Sequence, residues 1–216
     1  MSDLNKLSEE AQLAAVNKYA YVIASIKNPS EDVQLAAVTK DAFSIYYIDN
    51  PSEQVQLAAV KKYGNVIGYI IEKGINTSEK VQLAAVTKNG FAIQYIDKPS
   101  KEVQLAAVNE DGFAIKYIDN PSEDVQLAAV KQNGFAIEFI DKPSKEVQLT
   151  AVKQNGWVIR TIINKGIKLS EEVKLFALKN EWTKEFYEEF LKDLPNNTEW
   201  FYREFNRLKL IKGPLK

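Results

Sequence analysis

The sequence contains no cysteine and no histidine in 216 residues. The missing thiols exclude disulfides, thiolate metal sites and cysteine nucleophiles. The missing imidazoles remove the commonest general base and the commonest side-chain metal ligand. An enzyme made from this chain would need Asp, Glu, Lys, Ser or Tyr chemistry at one irregular site, and no repeat shows such residues breaking the pattern together. We therefore expect a protein that is not an enzyme and holds no cofactor and no metal.

Positive charge and long apolar runs are also scarce. The formal net charge is −1, whereas non-specific nucleic-acid binding relies on clustered cations. No apolar run approaches membrane-spanning length, and the polar start, MSDLNKLSEE, lacks the core of a signal peptide. We therefore expect a cytoplasmic protein without a membrane partner, and nucleic acid is a weaker expectation than protein. Only three arginines occur, at Arg160, Arg203 and Arg207.

An internal repeat dominates what is present. The hexapeptide V-Q-L-A-A-V or a close variant recurs with starts 22 or 26 residues apart, which is the signature of a solenoid of stacked repeats. One repeat has too few apolar side chains to fold alone, so neighbours must share a core. The eight starts are Ala11, Val33, Val55, Val81, Val103, Val125, Val147 and Val173.

Each copy has the residues that typically start and end two helices. A serine three residues before the hexapeptide predicts a helix N-cap. Asn-Gly pairs such as Asn89-Gly90 predict a helix end in the left-handed conformation, and a second, shorter helix follows before Asp-x-Pro. Because only Gln126 interrupts the apolar run 125–130, we expect the first helix to be nearly enclosed.

Two copies are four residues longer, which adds about one helical turn to the second helix. These insertions end at Gly74 and Gly166 and are four repeats apart, as if a four-repeat block were used twice. We expect the two lengthened helices to protrude along one edge. From Ser170 the sequence diverges from the repeat pattern, which is typical of a terminal capping element.

The predicted fold is all-α: a right-handed-type α-solenoid of eight helix–turn–helix repeats, each 22–26 residues long, with a C-terminal helical cap. We place the array at residues 1–179 and the divergent cap at 180–216. The wording V-Q-L-A-A-V-x-x-N-G-x-A-I resembles the DUF4116 family over roughly residues 8–180. That resemblance implies an all-helical repeat, in units of about two copies, and implies no activity.

Three columns of the repeat are candidates that packing also explains. Glutamine at the second position of the hexapeptide, as in Gln104, is expected to satisfy a turn carbonyl or its counterpart in the next repeat. The aspartates 49, 97, 119 and 141 are too widely spaced for calcium and are expected to cap loops. The aromatic column Tyr47, Tyr69, Tyr95, Tyr117 and Phe139 could stack nucleobases, but such spacing is typical of core or partly buried positions.

The columns that vary between otherwise similar copies are better candidates for a binding surface. One precedes the aromatic column, and another is the pair of residues after the hexapeptide, such as Lys131-Gln132. The C-terminal segment also combines aromatics and cations, as binding hot spots do. The predicted partner-binding residues are Tyr46, Gln94, Lys116, Glu138, Arg160, Trp200, Tyr202, Arg203 and Arg207.

The sequence thus favours a non-catalytic protein–protein interaction module whose partner is another protein. One concrete instance, suggested by size and composition alone, is a phage-type inhibitor of a bacterial defence enzyme. The alternative is a repeat protein that binds RNA or single-stranded nucleic acid.

Overall fold

A computed structural model describes residues 4–170, 172, 173 and 176 of the chain. It contains seven complete repeats, each running from one capping serine to the residue before the next. The predicted cap at 180–216 lies outside the described residues. The repeats, numbered 1 to 7 in chain order, span residues 8–29, 30–51, 52–77, 78–99, 100–121, 122–143 and 144–169.

Each repeat begins with a ten-residue α-helix, as the serine spacing predicts. The Ser100 hydroxyl, for example, accepts a hydrogen bond from the Val103 amide at 3.3 Å, which satisfies one of the free amides of the first turn. Ser122 has the same extended backbone but makes no such side-chain bond. These first helices are α1 Glu9–Lys18, α2 Glu31–Lys40, α3 Glu53–Lys62, α5 Glu79–Lys88, α6 Lys101–Glu110, α7 Glu123–Gln132 and α8 Lys145–Gln154.

The second helix of a 22-residue repeat is a six-residue 3-10 helix. In repeat 5 the buried residues Gly112, Ile115 and Ile118 are three apart, and side chains three apart eclipse one another in a 3-10 helix. This spacing therefore places the three residues on the buried side of the helix and its C-cap. The 3-10 helices are Ala20–Ser25, Ala42–Tyr47, Gly90–Tyr95, Gly112–Tyr117 and Gly134–Phe139; shorter ones cover Leu4–Lys6 and Gly64–Val66.

The turn between the two helices differs from its prediction. Asn89 is extended rather than left-handed, with φ −156°, and its side chain accepts from the Phe91 amide at 3.0 Å. The left-handed residues lie instead before the prolines, at Asn28, Lys98 and Asn120. Asn89 is therefore both the C-cap of the first helix, in an extended conformation, and the N-cap of the second.

The first helices pack side by side in one layer and the second helices in another, with the core between the layers. In repeat 6 the core takes Val125, Ala129 and Val130 from α7, together with Ala136 and Ile137. In repeats 2 to 6 the leucine and first alanine of the hexapeptide are only partly buried. The expectation that the first helix is nearly enclosed was therefore too strong, and the all-helical solenoid is confirmed.

The second helices of the two longer repeats end in α-helices, α4 Ile67–Glu72 and α9 Val158–Asn164. Gly74 has φ +73°, with bonds from its amide to the Ile71 carbonyl and from the Ile75 amide to the Ile70 carbonyl. This paired pattern is the Schellman ending, which favours glycine because the left-handed conformation crowds a Cβ. Gly166 repeats it with φ +69°, so both insertions end as the sequence predicts.

The repeated glutamines bind loop carbonyls, as expected. Gln104 Nε2 donates to the Pro99 carbonyl oxygen at 2.9 Å, and corresponding bonds tie Gln34, Gln126 and Gln148 to the prolines before them. Gln148 also accepts from the Ser170 amide of the next copy at 3.0 Å. This column therefore joins each helix to the loop that leads into it and is not displayed to a ligand.

Candidate binding face

The layer of second helices presents a continuous strip of exposed side chains. It is formed in repeats 2 to 7 by the fifth and sixth residues counted from the position that corresponds to Gly112, and we call this strip the second-helix face. Its aromatic members are 37–51% exposed, so the aromatic column is a half-exposed surface and not a core. The face consists of Tyr46, Tyr47, Gly68, Tyr69, Gln94, Tyr95, Lys116, Tyr117, Glu138, Phe139, Arg160 and Thr161.

Aromatic rings from neighbouring repeats meet edge to face under this strip. Phe91 and Tyr117 have ring centroids 6.0 Å apart with planes at 87°, and Phe113 and Phe139 are 5.9 Å apart at 90°. Perpendicular pairs at this distance are favourable because the positive ring edge meets the negative ring face. The aromatic at the second position of one second helix thus contacts the aromatic at the sixth position of the next.

The predicted partner-binding residues that the structure describes all lie on this face. Tyr46, Gln94, Lys116, Glu138 and Arg160 are exposed. The second helices of repeats 4, 5 and 6 contact one another in order, which places the middle three side chains in a row. The others, Trp200, Tyr202, Arg203 and Arg207, lie outside the described residues.

Lys116 is held against the aromatic rings of the face. Its Nζ lies 5.2 Å from the ring centroid of Phe91 and 4.7 Å from that of Tyr117. Both distances are within the range of a cation–π interaction. The side chain is therefore ordered by its neighbours while it remains exposed to solvent.

In the other varied column, the second residue of the pair makes contacts between repeats. Gln132 Oε1 accepts from the Gly112 amide at 2.8 Å, and its Nε2 donates to the Glu110 carbonyl oxygen at 3.3 Å. Glu110 and Gln154 accept from Gly90 and Gly134 in the same way. The residue that ends each of these first helices therefore joins two repeats, which corrects the interpretation of this second position as partner surface, whereas the first position, such as Lys131, is exposed.

The aspartate column does not form a metal site among the residues the structure describes. No group of three or more Asp and Glu side chains there could hold an ion. Asp49 pairs with Lys73 at 3.3 Å, and Asp97, Asp119 and Asp141 are exposed. The capping that we assigned to this column belongs to the residue before each second helix, such as Asn89.

A cleft opens on the second-helix face at repeat 3, with a volume of about 540 Å³. Three residues there depart from the repeat together: Tyr63 replaces Asn or Asp, Asn65 replaces the usual Phe, and Gly68 replaces a side chain. The inserted turn adds Ile71 and Glu72 to the walls, and the adjacent repeats add Phe43 and Tyr95. The coincidence of these departures with the insertion was the sequence signal that could have located the cleft.

The residues at positions 65 and 68 explain why the cleft is open. Position 65 carries no phenylalanine, and the Tyr95 ring packs against Gly68, where an added Cβ would lie 3.0 Å from the ring. Asn65 instead accepts a hydrogen bond from Asn89 Nδ2 at 2.9 Å. The Phe43 and Tyr69 rings, 6.1 Å apart, form the opposite side.

The electrostatics of the described residues are simple. The pKa of Glu172 is lowered, chiefly by a backbone hydrogen bond at the start of the eighth copy.

No helix in the described part of the chain is long and apolar enough to cross a membrane.

Comparison with known families agrees with the repeat. Residues 100–143 match the family model described as a domain of unknown function, DUF4116. The matched segment spans repeats 5 and 6, so the family unit is two copies, as the resemblance implies. Lys116 and Glu138 lie inside it, and the cleft at repeat 3 lies outside it. No curated protein and no solved structure matches the chain.

Proposed function

We propose that this array of DUF4116-like repeats is a non-catalytic protein-binding module, which uses the second-helix face. The observation that carries the proposal is that the side chains that vary between copies are the exposed ones on a strip of half-exposed aromatics. Aromatic and arginine side chains are enriched in binding hot spots, and the rings beneath are already ordered by contacts between repeats. A phage-borne inhibitor of a bacterial defence enzyme would be one protein of this kind, supported by size and composition alone.

Charge reversal tests the proposal on the intact chain. The variant Lys116→Glu, Glu138→Lys, Arg160→Glu changes three exposed positions of the face. The matched control, Lys80→Glu, Glu102→Lys, Lys153→Glu, makes the same change in net charge at exposed positions of the first helices. Partners captured from host lysate are quantified by mass spectrometry, and the affinity of the purified partner is then measured.

The face variant should bind its partner about tenfold or more weakly, because charged groups at an interface set both affinity and specificity. The control should bind as the wild type does, and the circular dichroism of both should be unchanged. Equal losses in the two variants would contradict the assignment of binding to this face.

A second candidate is RNA or single-stranded nucleic acid, which the exposed aromatics favour because bases stack on such rings. Against it, Glu138 lies between Lys116 and Arg160, and the ring faces are partly covered by neighbouring ring edges. Binding of a labelled oligonucleotide that weakens steeply as salt rises would support this candidate. Binding that is absent at low salt would exclude it.

A further inference from the structure

In repeat 5 the side chain of Lys116 places an ammonium group on the aromatic strip. The Lys116 ammonium lies near two rings that belong to successive repeats, 5.2 Å from Phe91 and 4.7 Å from Tyr117. The two rings are perpendicular and 6.0 Å apart. This arrangement shows where an ammonium group fits on the aromatic strip.

The same ring pair recurs at the junction of repeats 2 and 3 without a lysine. Phe43 and Tyr69 occupy the positions of Phe91 and Tyr117, with centroids 6.1 Å apart and planes at 67°. The position of Lys116 is taken there by Gly68. The ring pair is thus kept without the lysine, and each ring also contacts one further ring: Tyr63 lies 5.1 Å from Phe43, and Tyr46 lies 5.6 Å from Tyr69.

The space beside this pair is the cleft described above. Its volume, about 540 Å³, falls in the usual range of ligand pockets, about 300–1,000 Å³. Tyr63 and Tyr95 bring the number of aromatic rings in its walls to four. Repeat 7 has the same insertion, but Arg160 occupies the position of Gly68 there, so that repeat supplies a cation of its own.

The charge of the cleft also suits a cation. The wall formed by the inserted turn carries the exposed carboxylate of Glu72. The adjacent ammonium, Lys73, is bound elsewhere: its Nζ donates to the carbonyl oxygens of Tyr46 and Ile48, both at 2.9 Å. Negative ring faces and one carboxylate therefore meet in one recess.

We propose that the cleft at repeat 3 binds the ammonium group of a lysine side chain on the partner protein. The assignment rests on the proposed function, because it names the residue by which a partner would be anchored. Lysine is chosen because Lys116 shows an ammonium on the same ring pair. The partner's ammonium takes the place that a fifth-position side chain fills in repeat 5.

The test uses the full-length chain and small probes, and it needs no partner. The cleft is followed by NMR at the Gly68 amide and the Tyr63, Tyr69 and Tyr95 rings. The probes are Nα-acetyl-lysine N-methylamide, its neutral norleucine analogue, and choline chloride. The lysine probe should produce saturable shifts at the cleft, with an affinity about two- to fivefold above that of the norleucine probe.

Three variants locate the effect. Tyr69→Leu removes one ring and should weaken lysine binding about two- to fivefold. Glu72→Gln should weaken it by a similar factor and reduce its salt dependence. Gly68→Lys should fill the cleft and abolish probe binding, whereas Lys153→Met, at an exposed position of a first helix in another repeat, should leave probe binding at the cleft unchanged.

Equal binding of the lysine and norleucine probes would overturn the proposal, as would shifts that Tyr69→Leu leaves unchanged. Tighter binding of choline than of the lysine probe would overturn the assignment to a protein side chain. If the face variant loses its partner while the lysine probe fails to bind, only the cleft assignment fails. If the probe binds while the face variant captures its partner normally, only the assignment of the face fails.

Discussion

Lys73 reaches back 25 residues to donate a hydrogen bond from its Nζ to the carbonyl oxygen of Ile48, at 2.9 Å. The same ammonium binds the Tyr46 carbonyl, so it closes the end of the second helix of repeat 2. Lys165 makes the corresponding bonds to Glu138 and Ile140 at the end of repeat 6. The extra turn of each longer repeat therefore clamps the repeat before it.

Removal of this clamp should destabilise the array. In Lys73→Met the carbonyls of Tyr46 and Ile48 lose a charged donor, and bonds to charged groups are each worth about 1.5–3 kcal/mol when made. Because the Lys73 side chain is 26% exposed and water can replace it in part, we expect a loss of about 1–3 kcal/mol in the free energy of unfolding. Urea unfolding measures it.

The matched control is Lys61→Met, at an exposed position of α3, which should change stability by less than about 0.5 kcal/mol. Equal effects of Lys73→Met and Lys61→Met would show that the clamp contributes nothing measurable.

Asparagine substitutions separate the two roles that glycine has in this chain. Gly74 is left-handed with open space around it, and asparagine tolerates that conformation, so Gly74→Asn should cost less than about 1 kcal/mol. At Gly112 a Cβ would lie 2.5 Å from the Ala129 carbonyl oxygen in the next repeat. Gly112→Asn should therefore cost about 1–3 kcal/mol through overpacking.

Thermal and urea unfolding of the two variants provide the comparison. A larger loss for Gly74→Asn than for Gly112→Asn would mean that close approach between repeats is not what selects glycine at position 112.

The repeated glutamine should matter for stability and not for binding. Gln104→Leu leaves the Pro99 carbonyl without its donor at 2.9 Å, so we expect a loss of about 1–2 kcal/mol. Gln54→Leu, at an exposed position, should change stability by less than about 0.5 kcal/mol. Partner affinity, measured under conditions where both variants are folded, should equal that of the wild type; a selective loss with Gln104→Leu would return this column to the list of binding residues.

Two serines offer a matched test of capping. Ser100 accepts from the Val103 amide and donates to Glu79, whereas Ser122 makes no side-chain capping bond. Ser100→Ala should therefore cost about 1 kcal/mol, and Ser122→Ala clearly less. Unfolding free energies from urea titration decide the matter, and equal losses would contradict the difference in capping.

The sequence predicted those features that depend on residues close together in one copy. The period, the serine caps and the glycine endings at Gly74 and Gly166 are local, so their residue types and spacing were sufficient. The extended conformation of Asn89 was missed because Asn-Gly also suits a left-handed turn. The glycine itself is required by the Ala107 carbonyl of the next repeat, 2.5 Å from where a Gly90 Cβ would lie, and that contact is not visible within one copy.

The binding face was predicted in part. Exposure of Lys116 and Glu138 followed from their variation between copies, because side chains in a shared core must stay alike. The cleft was not predicted, since it needs Phe43 from repeat 2 and Tyr95 from repeat 4 to meet beside Gly68. Gln132 was assigned to the surface for the same reason: its partner, the Gly112 amide, lies 20 residues away.

The bonds made by Lys73 and Lys165 affect how the repeats dock in the correct order during folding. Copies this similar could dock one repeat out of register, because the same Val, Ala and Ile residues stand at the core positions of each copy. Such misassembly is a characteristic failure of repeat proteins. A 22-residue copy has no counterpart of Lys73 or Lys165. A slip that placed a 22-residue copy directly after repeat 2 or repeat 6 would leave the carbonyls there without their ammonium donor, so the longer repeats favour the native order at these two junctions.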